Sequence, residues 1–581
     1  VAQALTNGLD EVDLKLRRHV EGRLMGLRVN RYSWWVHYRE LADYIIPRRY
    51  KWLITPNQMA RGSPINQHIL DSTGSLAARN CASGIMFGVT DPSRNWFSLK
   101  VNRIDSTQVS PVSLWLAEVE RLMRMVLQNS NFYNSIAVLY LDLVIFGTGV
   151  MIIYEDFEDV IRCFNPCPGE YYIDNSGAFR VDTLYREFTL TTAQCVQQFG
   201  LDNCSPAVRR LYESGGSSLT RELVVAHAIE PNGEPELYGM PDHFGWREVY
   251  WEWGGSASPQ GGSSYAPGLL RKRGFYECPF AAPRWDLVAN DAYGRSPGMD
   301  ALPDIKQLQL ETRRKAQAID KMVNPPMVAD VQLKNQPASL LPGGITYIAG
   351  LLNQGRPGFA PVYHVIPPIK EMMEDIKEVQ ERIKETFYNH LFMVISQYET
   401  RSNVTAAEID ARRAEAMVMI GPVLERLNEE LLSVAIDRVF GIMSRAAVNG
   451  IPFLPPPPPD IAGQNIDVEY VSMLEIAQNA SAASGIERLF GLASQVAAID
   501  PAATDNIDFD YGFDDYSALL RNNPKLIRSQ EQLAVIRQRR EAQQEQQARQ
   551  QQALAAAKAG KDLSGASLKG DNALGALLGA Q

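Results

Sequence analysis

Apolar positions along this chain recur mostly at helical spacing. Between Arg31 and about Arg49, Trp34, Tyr38, Leu41 and Ile45 are separated by four, three and four residues, the period of one helical face. Further helices are expected from Leu76 to Phe87 and from Ser113 to about Leu127. The segment Ile136 to Tyr154 is nearly all apolar and about long enough to span a bilayer. Asp142 lies inside it, however, and Gly147-Thr148-Gly149 interrupts it, so a buried helix running into the strand Val150 to Ile153 is the better reading. A short helix at Thr191 to Phe199 has Thr192 as its expected N-cap and Gly200 as its stop.

The pattern turns to alternation between residues 221 and 290. Leu223, Val225, His227 and Ile229 mark one strand, and Val249, Trp251 and Trp253 another. His227 is expected to be a packed or solvent-facing strand residue. A Gly/Ser-rich run follows, GGSASPQGGSSYAPG, and then the basic triplet Arg271-Lys272-Arg273, which reads as a solvated turn or as a contact for protein or DNA. Helix resumes at Asp300, an expected cap, with Pro303 placed in the first turn. Ile305, Leu308, Thr312, Ala316, Ile319 and Val323 make one stripe, Lys306, Arg313, Arg314, Lys315 and Lys321 occupy the other faces, and Pro325-Pro326 ends the run. The cleanest amphipathic pattern is Ile369, Met372, Ile376, Val379, Ile383, Phe387 and Leu391. After the loop at 396–403, Thr405 to Glu408 forms a capping box, and Gly421-Pro422 must kink or break the helix it starts. Pro455 to Pro459 reads as a stiff spacer at a boundary, and a Gln/Ala/Arg-rich helix is expected from about Asn523 to Ala557.

Composition narrows the class. With 581 residues, 45% hydrophobic and 21% charged, the chain can bury several cores. A net charge of −10 argues against a protein that coats nucleic acid with a basic surface. Six scattered cysteines without a C-x-x-C pair, and no N-terminal apolar leader, suggest free thiols in a reducing compartment. No phosphate-binding loop, dinucleotide fingerprint, H-E-x-x-H or G-x-S-x-G occurs. Asp505, Asp508, Asp510, Asp514 and Asp515 are weighed as a two-metal nuclease site, but they crowd into one segment, and a solvated or capping role is preferred. The alternating Trp, Tyr and Arg from Arg31 to Trp52 could stack bases. Because Trp34, Tyr38 and Ile45 share a face, that stretch is read as core. What remains is a large multi-domain structural protein with long helices, no cofactor and no membrane span.

Five strings in order resemble the portal proteins of podovirus-type bacteriophages, the head-to-tail connector family. They are YRELADYIIPRR, LDSTGSLAARNCASGIMFGVTDPSRNWFSL, AYGRSPGMDALPDIKQLQ, NVTAAEIDARRAEAMVMIGPVLERLNEELL and NIDFDYGFDDYSALLRNNPKLIRSQEQL, spread from about residue 34 to residue 540. The resemblance implies an α+β, mainly helical protomer with wing, helical stem, β-containing clip and helical crown. It would assemble as a ring, usually a dodecamer, at one capsid vertex of the virion, formed in the bacterial host cytoplasm. The implied division is 1–190 as the N-terminal wing, 191–299 as clip and flanking structure, and 300–325 as stem. Residues 326–450 would complete the wing with a long helix and channel loop, 451–522 the crown, and 523–581 a C-terminal helix and tail. Double-stranded DNA would pass through the channel, with Arg401, Tyr398, Gln397, Arg313 and Lys321 as lumen candidates. Arg271, Lys272 and Arg273 are the clip candidates. Implied partners are the terminase large subunit, a tail adaptor protein, the major capsid protein and scaffolding protein. The resemblance implies no enzymatic activity. Another virion component, such as a tail adaptor, is the structural alternative, and the nuclease is the enzymatic one.

Overall fold

The computed structural model describes residues 11–52, 67–101, 111–253, 268–323, 368–390, 421–448, 451–459, 508–519 and 530–565, with short stretches at 327–329, 359–361 and 466–470 and parts of 483–495. The fold is α+β and mainly helical, with antiparallel sheets. The chain divides into two units, Val1–Ser98 with Arg121–Leu454 and Val468–Ala477, and Leu99–Glu120 with Pro455–Asp467 and Gln478–Gln581. One division falls between Leu454 and Pro455, where the proline run begins.

The first unit opens with helix α1 (Glu11–Tyr44), which starts twenty residues before the expected position. Leu16, Val20, Leu24 and Leu27 extend the apolar face and bury against Ala226, Ala228 and Trp251 of the sheet. Tyr38, Leu41 and Ile45 are buried too, and the Tyr38 and Phe146 rings lie 5.2 Å apart, so this aromatic stretch is core. Helices α2 (Thr73–Val89), α3 (Pro111–Asn129) and α4 (Phe132–Phe146) fall within a few residues of their expected places. The apolar run does become helix and then strand, through Gly147 at φ +75°. Asp142, buried within it, accepts a 2.9 Å hydrogen bond from Arg49 Nε. That pairing offsets the cost of placing a carboxylate there.

Strand β1 (Phe97–Val101) precedes a three-stranded sheet, order β3-β2-β9, from β2 (Met151–Asp156), β3 (Val160–Phe164) and β9 (Phe280–Ala281). A five-stranded antiparallel sheet, order β4-β5-β6-β7-β8, contains β4 (Tyr171–Asn175), β5 (Val181–Thr191), β6 (Glu222–Pro231), β7 (Trp246–Glu252) and β8 (Arg271–Phe275). This sheet draws on residues from both sides of position 190. Between β5 and β6, helices α5 (Thr192–Phe199) and α6 (Pro206–Ser214) fold over one face. Thr191, not Thr192, caps α5. Its hydroxyl accepts from Gln194 N at 3.2 Å, and its own N–H donates to Gln194 Oε1 at 3.0 Å. Thr192 is buried and donates instead to Arg221 O. A single turn, α7 (Pro235–Tyr238), lies between β6 and β7.

Helix α8 (Pro297–Val323) begins earlier than expected, capped by Ser296, whose hydroxyl accepts from Met299 N at 3.1 Å. Asp300 is therefore in the first turn, and Pro303 lies inside the helix. The amphipathic helix α9 (Ile369–Thr386) buries Ile376, Val379 and Ile383 as its period required. Helix α10 (Gly421–Leu427) runs through a π-helical turn, Asn428–Ser433, into α11 (Val434–Arg445). The 396–403 loop and the Thr405–Glu408 box lie outside the described residues, as do residues 254–267 of the Gly/Ser run.

In the second unit, α12 (Phe509–Leu519) stacks Phe509 and Phe513 on Phe490, with ring centroids 5.3 and 6.2 Å apart. A side chain at Gly512 would come within 2.6 Å of Phe490 Cζ, so the ring would have to shift to admit it. The long helix α13 spans Gln530–Gly565, and its expected start near Asn523 lies outside the described residues.

Candidate channel and docking surfaces

Helix α8 changes character along its length. Its first half is locked down: Ile305 and Leu308 are fully buried, and Gly74 of α2 approaches so closely that a Cβ there would meet Ile305 Cδ1 at 2.8 Å. Gln309 Oε1 accepts from Leu70 N and Asp71 N at 2.6 and 2.9 Å, and its Nε2 donates to Asp71 O at 2.8 Å. Past Leu310 the same stripe loses its cover. Ile319, Met322 and Val323 are 41%, 47% and 71% exposed. Arg313, Arg314 and Lys321 are exposed on this half, with Arg314 and Lys321 opposite the stripe at 100° per residue. Two of the lumen candidates, Arg313 and Lys321, thus share one free helical segment. Gln397, Tyr398 and Arg401 lie outside the described residues.

The basic triplet is not a solvated turn. It forms β8 at one edge of the large sheet, and each side chain is engaged within the chain. Lys272 Nζ lies 2.6 Å from Asp13 Oδ1, Arg273 pairs with Glu248, and the Arg271 guanidinium sits 4.7 Å from the Tyr250 ring centroid. Edge placement explains the difference: alternate residues of an edge strand reach back over the sheet, where acidic and aromatic partners wait.

Behind β8 lies a buried charged network that sequence inspection missed. His227 Nε2 and Glu248 Oε1 are 2.9 Å apart, Tyr250 OH donates to the same carboxylate at 2.9 Å, and Tyr154 OH is 3.2 Å from Tyr250 OH. His227 also stacks on the Tyr250 ring at 4.0 Å. Burial pushes the His227 imidazole down to about 4, opposed by Glu248. Burial acts to raise Glu248, but the hydrogen bond and charge of His227 and the charge of Arg273 outweigh it and hold the carboxyl at about 2. The signs agree. The unfolded chain takes up a proton on the imidazole near pH 6.5, while the fold resists until about 4. The carboxyl is likewise protonated in the unfolded chain near 4.5 but not in the fold until about 2. Stability therefore falls as pH drops through 6.5 to 4, and further below that. Replacing His227 with phenylalanine should flatten the upper part of this curve, removing on the order of 3 kcal/mol of pH dependence. Thermal midpoints between pH 7 and 4 measure it, and parallel curves for both proteins would refute the assignment.

The acidic segment has structural work. Asp508 Oδ1 accepts from Tyr511 N at 3.0 Å at the start of α12, and Asp510 lies 2.7 Å from Arg537 of α13. Among the described residues, no three His, Cys, Asp or Glu side chains converge to hold a metal ion. No helix among them is long and apolar enough to cross a membrane.

The family model for the bacteriophage head to tail connecting protein matches residues 17–527. The portal protein of Salmonella phage epsilon15 is 39% identical over 565 residues, covering 96% of this chain and 97% of that protein. A probable portal protein of Bordetella phage BPP-1 is 38% identical over 517 residues, with 88% and 89% covered. The chain belongs to the bacteriophage head-to-tail connecting protein family and has the portal role, joining head to tail in the virion.

Proposed function

We propose that copies of this chain close into a ring, a dodecamer, at one capsid vertex, and that α8 lines its channel. The observation that carries this reading is the half-covered stripe of α8. A helix that buries Ile305 and Leu308 in its own protomer yet leaves Ile319, Met322 and Val323 open needs a second surface. A neighbouring copy related by rotation supplies the same surface to every subunit, and a head-to-tail contact of that kind closes into a ring. The opposite face, with Arg314 and Lys321 and with Arg313 beside it, then turns toward the lumen.

Such a lumen suits double-stranded DNA that must move in during packaging and out at ejection. Phosphate contacts release counterions and hold the duplex, so a wall dense in Arg and Lys would resist sliding. A few basic rings on a chain of net charge −10 centre the duplex without gripping it. The 396–403 loop, carrying Gln397, Tyr398 and Arg401, is the proposed channel valve. The 191–299 region is the proposed clip, where edge strand β8 with Arg271, Lys272 and Arg273 meets the terminase large subunit and later the tail adaptor. Capsid and scaffolding proteins meet the wing during assembly in the host cytoplasm.

Changing Ile319 and Val323 together to aspartate tests the contact. Both are exposed in the protomer, so folding should change by no more than about 0.5 kcal/mol per site, while ring formation is lost by native mass. A double variant that assembles like the parent removes α8 from the interface.

A further inference from the structure

Cys195 and Cys204 stand apart from the other cysteines. Their sulfurs are 4.0 Å apart, and both residues are buried on either side of the tight turn between α5 and α6. Cys195 belongs to α5, and Cys204 immediately precedes Ser205, the N-cap of α6. With Phe199 and Val208 they form the apolar underside of this helical hairpin, packed on Val225, Tyr250 and Leu270 of the sheet. The turn above them exposes Asp202 and Asn203, so a small opening of two short helices admits solvent.

We propose that Cys195 and Cys204 are a dithiol that closes to a disulfide when the protein meets a small disulfide oxidant, stapling the α5–α6 hairpin onto the sheet. The sulfurs must approach from 4.0 Å to about 2.05 Å for the bond to form. The hydrogen bond from the Cys195 thiol holds Cys204 below the usual thiol range, which marks Cys204 as the attacking sulfur. By contrast, burial pushes Cys163 and Cys278 up to about 12.

The chemistry balances in two displacements. The Cys204 thiolate attacks one sulfur of the oxidant RSSR, forming a mixed disulfide and expelling RS⁻. Cys195 then gives up its proton, attacks the Cys204 sulfur and displaces the second RS⁻. Two thiols are oxidised and one external disulfide is reduced to two RSH, which take the two protons. Glutathione disulfide is a sufficient oxidant of this class. In a reducing interior the pair stays open, whereas in an oxidising medium it closes. The pair does not depend on the ring reading.

The test uses the full-length protein, incubated with glutathione disulfide and quenched with iodoacetamide. Trypsin releases Glu187 to Arg209, which contains both cysteines and no internal Lys or Arg. The expected peptide is lighter by two hydrogens and unalkylated. After chymotryptic cleavage at Phe199 its halves should stay joined until dithiothreitol is added. Two alkylated thiols, or a persistent glutathione adduct on either cysteine, would overturn the proposal. As a second readout, the oxidised parent should unfold a few degrees higher than the reduced form, a gain absent in Cys195→Ala. An oxidised protein with an unshifted midpoint would overturn the staple even if the bond forms.

Discussion

Gly147→Ala will destabilise the first unit by about 4 kcal/mol or more, with thermal unfolding shifted accordingly. Gly147 ends α4 at φ +75°, where a side chain is strained before any contact is considered. A Cβ would also lie 2.3 Å from Gly294 O and 2.7 Å from the carbonyl carbon of Arg295. The approach is mutual, because a Cβ on Gly294 would lie 2.4 Å from Gly147 O. These backbones cannot separate cheaply. Trp285 N donates to Gly147 O at 2.9 Å, Gly294 N to Thr148 Oγ1 at 2.9 Å, and Ser296 Oγ to Ile145 O at 2.7 Å. This junction seats the start of α8 on the end of α4, so it fixes where the proposed channel helix points. Gly177→Ala, with nothing within 4 Å, is the control and should be close to neutral. Equal midpoints for the two variants would contradict this account of the junction.

The second large effect is expected at Arg284, whose side chain is only 1% exposed. Its Nη1 donates to Asn175 Oδ1 at 3.1 Å, its Nη2 to Phe179 O at 2.8 Å, and its Nε to Glu430 Oε1 at 3.1 Å. Glu430 sits in the π-helical turn between α10 and α11, beside the buried Leu431 and Leu432. Arg284→Met removes every one of these side-chain donors and leaves a largely buried carboxylate held by the backbone N–H of residue 284, at 3.0 Å. Loss of one member of such a pair costs about 3–5 kcal/mol. Adding Glu430→Leu should restore much of that, since the uncompensated charge is gone. Lysine at 284 should not rescue, having neither the planar fork nor the reach to serve three acceptors. Chemical denaturation of the set checks these orders, and a double variant as unstable as Arg284→Met would refute the pairing argument.

What could be read from the chain and what could not follow from the range of each interaction. Helices α2, α3, α4 and α9 were legible because their apolar spacing is local. The first half of α1 carries an equally regular row, Leu16, Val20, Leu24 and Leu27, set among charged residues and legible in retrospect. The Thr191 cap differs from expectation by one residue, because both neighbours are threonine and Gln194 selects between them. The buried arginines were not legible. The partners of Arg31, Arg284 and Arg438, namely Tyr171, Glu430 and Glu155, lie 140, 146 and 283 residues away in sequence. Lys272, read as part of a solvated turn or as a contact for protein or DNA, has its partner Asp13 259 residues distant. On α8 the stripe itself was visible, but periodicity does not say which half the protomer covers. Ile305 is wedged against Gly74, whereas Ile319 and Val323 on the same stripe are exposed.

The reading of this chain as a ring-forming portal subunit is tested most directly by electron microscopy of the purified full-length protein, with native mass measured on the same sample. Twelve copies of 64.8 kDa predict a particle of about 778 kDa, with end-on views showing a closed ring, a central hole and the α8 segments packed around it. A protein that remains monomeric when its capsid and scaffolding partners are supplied, or a ring whose α8 helices lie away from the channel, would contradict it.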